Sequence, residues 1–158
     1  MKIKFIPGKT NPEFEIYEEN KIVMHIKIDN ETQAFRIRCQ DNRRVFFLGN
    51  EVVKKIKAIT LLNEYSQQLG SLTKSKSGIN TGEIEIEGLQ YTYKMNDDFL
   101  KEIDLFEPDN FQPVLSCRLE MGKPSFLNEV YVDYLLFALV WFKFLTKEKA
   151  ALVQFAET

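Results

Sequence analysis

Arg36 and Arg38 stand two residues apart in AFRIRC, Arg43 and Arg44 follow across a short polar turn, and Lys54, Lys55 and Lys57 come soon after. Residues two apart on a strand share a face, so Arg36 and Arg38 should lie together on the outside of one strand, with the other basic residues completing a patch. Guanidinium is a planar fork that matches two phosphate oxygens at once, and each basic residue near an anionic membrane contributes about 1 kcal/mol. The chemistry this spacing offers is recognition of an anionic headgroup, with Arg36, Arg38, Arg43 and Arg44 as the contacts. Asp41 and Glu51 interrupt the group, so a solvated basic face is the competing reading.

The remaining chemically able residues are few. His25 is the sole histidine; it alternates with Met24 and Ile26 and is expected to face solvent beside Val23 and Lys27. A general base needs an orienting partner and a nucleophile or water within reach, and its neighbours in sequence supply neither. Cys39 and Cys117 belong to no CxxC or Cys/His spacing and read as two reduced, buried thiols. Zinc would need carboxylates to complete its four ligands here. Glu83, Glu85 and Glu87 share a strand face, but calcium is gripped by loops that gather six to eight oxygens, so a solvated row is expected. GxSxG, HExxH, GxGxxG and the P-loop pattern do not occur in the chain, and with them go the common motif-bearing enzymes. We expect no catalysis, metal or cofactor.

Twenty-one basic against twenty-three acidic residues leave a formal charge of −2 in 158 residues. No global field then draws the chain to nucleic acid or to a bilayer, and any anion must be held locally. The opening MKIKFIPGK lacks the apolar run of a secretory signal, which sets the expectation of a cytoplasmic protein, peripheral to a membrane if it meets one. Thirteen Phe, six Tyr and one Trp are enough bulk for one core, and a domain of roughly 150 residues buries about 68–70% of its unfolded surface. A single domain over 1–158 is expected.

These residues need elements to position them, and the strand signals come in pairs. In FEIYEENKIVMHIKI the positions Phe14, Ile16, Ile22, Met24, Ile26 and Ile28 alternate with polar ones around a loop at Glu18-Glu19-Asn20, which predicts a hairpin. A second hairpin pairs Phe35, Ile37 and Cys39 with Val45 and Phe47 across Gln40-Asp41-Asn42. The segment Val52 to Leu72 gives another pair around Asn63 to Gln67, its first half readable also as a short helix. In GEIEIEGLQYTYKM a two-residue turn at Glu87-Gly88 sets Ile86 against Leu89 and Ile84 against Tyr91 on one face, with Glu85 against Gln90 and Glu83 against Thr92 on the other. Lys74 to Gly82 reads as a loop, Phe99 to Leu105 as a short helical turn, and Val114 to Met121 as a late strand. Gly122-Lys123-Pro124 should break the chain before a helix.

That helix is YVDYLLFALVWFKFL, uninterrupted in its apolar run only from Tyr134 to Phe142. A membrane span needs ~20 apolar residues, so this is a buried helix, placed from about Asn128 or Tyr134 to Thr146, with Asp133 and Lys143 near its two ends to suit the dipole. A helix apolar on all sides must be enclosed on all sides. The fold expected is therefore mainly β, an antiparallel barrel of hairpins surrounding a buried C-terminal helix. Trp141, Phe137 and Phe142 then fill the interior, leaving a ligand-lined cavity as the rival reading.

The order of elements resembles the tubby C-terminal-domain-like superfamily, which includes phospholipid-scramblase-like and LURP-one-related proteins. The resemblance is carried by the turn Asn63-Glu64-Tyr65-Ser66-Gln67 with Leu69-Gly70-Ser71-Leu72, the strand pair Gly82 to Tyr93, and the apolar helix after Val130-Tyr131-Val132-Asp133. It implies a closed barrel around a hydrophobic C-terminal helix and a role in binding membrane lipids. Function does not follow from fold alone. The alternative from another class is a protein-interaction or scaffold module using the loops at Lys74 to Gly82 and Asn96 to Pro113.

Overall fold

The computed structural model describes residues 1–53, 55–75, 80–96, 102–120 and 129–157. Its elements are β1 Lys2–Ile6, β2 Glu13–Glu18, β3 Lys21–Asp29, β4 Ala34–Cys39, β5 Asn42–Val53, β6 Ile56–Leu62, β7 Gln68–Lys74, β8 Thr81–Ile86, β9 Leu89–Asn96, β10 Glu102–Phe106, β11 Leu115–Glu120 and α1 Glu129–Glu157. Each strand pairs antiparallel with the next, and β1 also pairs with β11, Ile3 opposite Leu119, to close the barrel. That closing pair is parallel, where an all-antiparallel barrel was expected. Eleven strands that alternate in direction leave the first and last pointing the same way.

Alternation drives the closure. On β3 Met24, Ile26 and Ile28 are buried, on β4 Phe35, Ile37 and Cys39, on β8 Ile84 and Ile86, on β9 Tyr91 and Tyr93, all turned to one core. Ile22 is instead 55% exposed; a register irregularity between Ile16 and Tyr17 pairs it with Tyr17 at the barrel end. The β8–β9 register follows the expected one, Ile86 opposite Leu89 through Glu83 opposite Thr92. Its turn has Glu87 at φ 51° and Gly88 at φ 82°, the doubly left-handed backbone whose twist matches a hairpin. Gly82 has a different reason: a methyl there would collide with the Thr73 carbonyl oxygen and the Tyr93 side chain.

Two sequence expectations are corrected, and one open choice is decided. The stretch from Ile56, readable as strand or short helix, is strand β6, paired with β7 as the strand reading has it, and Glu102–Phe106 is strand β10 rather than a helical turn, with Ile103 and Leu105 buried and Glu102, Asp104 and Phe106 partly exposed. Phe99 to Lys101, the middle of the Lys74 to Gly82 loop and the Gly122-Lys123-Pro124 break lie outside the described residues. The helix runs to Glu157, not Thr146, so Lys143 sits mid-helix and Asp133 alone is near an end.

Leu135 to Val140 have no exposed surface at all. Six successive residues sweep more than a full helical turn, so the helix is enclosed on every side: it threads the barrel. Because β11 ends at the rim that holds the β1–β2, β3–β4 and β5–β6 connections, α1 enters there and leaves through the rim formed by the β2–β3, β4–β5, β6–β7, β8–β9 and β10–β11 turns. At the entry rim Asp133, buried to 8% exposure, meets the Lys74 ammonium at 3.7 Å, which gives the buried charge its partner. Burial and then the Asp133 charge push the nearby Tyr93 hydroxyl up to about 12. Asn30 Nδ2 donates to the Tyr131 hydroxyl at 3.3 Å.

Candidate functional site

The basic residues are sorted by strand register. β3 pairs His25 with Arg38 and Lys27 with Arg36; β4 pairs Arg38 with Arg43 and Arg36 with Val45. Two rows result on the outer wall, His25–Arg38–Arg43 and Lys27–Arg36–Val45. Neighbouring strands lie about 4.8 Å apart, so the cations crowd into one small field. Lys27, Arg36, Arg38 and Arg43 are exposed, while Ile37, Cys39 and Phe46 between them face the core. The rows line a shallow depression on the wall, which Arg44 and Glu64 also border; on β2, Glu13 stands opposite Lys27 and Glu15 opposite His25.

Arg44 borders the same depression but turns its guanidinium toward the core. The two-residue turn at Gln40-Asp41 sets Cys39 opposite Asn42, so Arg43 points outward and Arg44 inward at the exit rim. Its guanidinium lies 5.1 Å from the Phe46 ring centroid and 5.2 Å from that of Trp141. Nε donates to Glu64 Oε1 at 3.1 Å and Nη2 to Oε2 at 3.3 Å. Those hydrogen bonds hold the Glu64 carboxyl below its usual range. Arg44 thus caps the end of the core, over a Trp141 packed edge-on to Phe46 and stacked on Phe144. Glu64 itself is fixed by a turn in which Asn63 Oδ1 accepts from the backbone N–H of Tyr65 and Gln67, each at 2.9 Å.

Arg36, Arg38, Arg43 and Lys27 make no ion pair with any described residue. Like charges set directly opposite on neighbouring strands are destabilising, and Arg38 faces Arg43 as Arg36 faces Lys27. Lys55 and Lys57 lie at the entry-rim end of the wall, on the β5–β6 turn and the start of β6, away from Arg38 and Arg43; Lys54 lies outside the described residues. Sequence reasoning missed Lys27. The signal was available in the hairpin alternation, which gives β3 and β4 a common outward face.

His25 is not free in solvent as expected: Nε2 lies 3.1 Å from Glu13 Oε2, and its side chain is 25% exposed. Glu13 was invisible to local reading because it reaches His25 across β2 and β3. Glu83 and Glu85 face outward on β8, with Ser71, Thr73 and Thr92 beside them and Pro108 above; Glu87 is in the turn. Among the described residues no group of His, Cys, Asp and Glu is placed to hold a metal. Both thiols are buried and unpaired, and burial pushes Cys117 up to about 12. A thiol held protonated is a poor nucleophile.

The class defined by this geometry is a closed, eleven-stranded mixed barrel threaded by its C-terminal helix, with a cluster of basic side chains on one wall that is flanked by Glu13, Glu15 and Glu64. Compared with protein-family models, curated proteins and solved structures, the chain matches none. No helix among the described residues is long and apolar enough to cross a membrane.

Proposed function

We propose that the barrel is a non-catalytic binding domain whose outer wall at β3–β4–β5 takes an anionic lipid headgroup. The observation that carries this reading is the opposition of Arg38 with Arg43 and of Arg36 with Lys27, none of which forms an ion pair with a described residue, although Glu13 stands opposite Lys27 and Glu64 borders the depression. A bound phosphate would relieve that repulsion and accept hydrogen bonds from two guanidinium forks together. His25 borders the field and Arg44 serves the core, so the contacts are Arg36, Arg38, Arg43 and Lys27. The barrel around a helix also supports the tubby-like resemblance, which we keep as part of the proposal.

Co-sedimentation with vesicles containing phosphatidylserine or phosphoinositide tests it. The chain is expected to pellet at low salt, to be released as salt rises, and to lose at least roughly tenfold in affinity when Arg36→Ala is combined with Arg38→Ala, at about 1 kcal/mol for each basic residue near the surface. Inorganic phosphate as competitor separates a headgroup site from a site for free phosphate: a site for free phosphate is blocked by millimolar competitor. Equal pelleting of wild type and double variant rejects the site.

A further inference from the structure

Phe144 and Leu145 still pack against the core, and residues 146–157 of α1 continue past the exit rim, a projection of about 18 Å at 1.5 Å per residue. From Thr146 to Leu152 every residue is exposed, Leu152 to 68%. A lone helix of this length is marginal in water, and this one carries a stripe at spacing i, i+3, i+4, i+7: Leu145, Glu148, Lys149 and Leu152. All four line one groove between the helix and the β4–β5 turn. The stripe therefore has a defined face and a floor.

The order of the stripe is apolar, acidic, basic, apolar, and that order is self-complementary in one direction only. Laid antiparallel about a point between Glu148 and Lys149, two copies put Leu145 on Leu152 and Glu148 on Lys149, each contact made twice. A parallel pairing would set Glu148 on Glu148 and Lys149 on Lys149. We propose that this groove is the docking surface for the projecting helix of a second copy of the chain, in a two-fold antiparallel pair. Such an interface is isologous, one patch serving both sides. The register leaves room for the barrels: Leu145 at one rim comes level with Leu152 of the other helix, so the rims stand about 10 Å apart. The surface is independent of the cationic wall and does not rest on the lipid reading.

Sedimentation velocity of the full chain from about 1 μM to about 1 mM spans the range of a small, reversible interface. Wild type is expected to pass from monomer to dimer within it. Glu148→Lys alone and Lys149→Glu alone each place like charges opposite twice, and each is expected to weaken association by about tenfold or more. The double variant Glu148→Lys with Lys149→Glu restores both ion pairs with their polarity reversed and regains wild-type association. Circular dichroism melting, unchanged in all variants because both residues are exposed, separates loss of pairing from loss of fold. A wild type that stays monomeric throughout, single variants that associate as wild type does, or a double variant that fails to recover would each overturn the proposal.

Discussion

Cys117 shows how one residue reports its surroundings. It is fully buried on β11, and burial pushes its thiol from 9.0 up to about 12. The unfolded chain ionises this group near pH 9 while the folded chain keeps it protonated, so the stability it contributes is complete below pH 9 and is lost as pH rises from about 9 to 12. The slope of that loss is about 1.4 kcal/mol per pH unit for one proton. Urea unfolding between pH 8 and 11 should show wild type losing stability more steeply than Cys117→Ala by that one-proton slope, even though the variant starts lower because of the cavity it leaves. Parallel curves would mean that the thiol reaches solvent. Arg44 teaches the complementary point: the sequence groups it with three outward arginines, and only the turn length, which sets Cys39 against Asn42, turns it inward onto Phe46 and Trp141.

At the scale of elements, α1 divides into two parts with different physics. Its first half is barrel filling, its second half a projection. Phe137→Ala should cost about 3–5 kcal/mol, since the ring is wholly buried and the surrounding strands cannot collapse onto the void. Lys147→Ala, on the exposed stretch and off the pairing stripe, should stay within about 0.5 kcal/mol. Urea midpoints of the two variants check this, and a large loss for Lys147→Ala would mean that the projection packs on the barrel. The apolar run from Tyr134 to Phe142 made the threaded helix legible, because only enclosure suits a helix with no polar side. Its extension to Glu157 was not legible: KEKAALVQFAE has good helix formers but no enclosing partner in the sequence, and its order comes from continuing a helix already nucleated inside the barrel. Strands β1 and β10 escaped for a related reason. Five residues bearing one or two buried side chains carry little periodic signal, and what orders them is the ring closing through β11.

For the whole molecule, the question is whether an anionic surface would respond to net charge or to the local field. The chain is slightly acidic, at −2, and the acidic row on β8 lies four strands around the ring from β4. With a Debye length of about 8–10 Å at moderate salt, charges on β8 are screened from a ligand at β4, so the field there is set by the basic rows and the carboxylates beside them, Glu13, Glu15 and Glu64. Glu83→Gln with Glu85→Gln removes the formal negative charge altogether, yet vesicle binding at about 0.1 M salt should change less than about twofold. Arg36→Ala with Arg38→Ala alters the net charge by the same amount in the opposite sense and should abolish most of the binding. The paired measurement decides between field and total: if the glutamate variant gains as much as the arginine variant loses, binding follows net charge, and the ordered rows of β3, β4 and β5 have no special part in it.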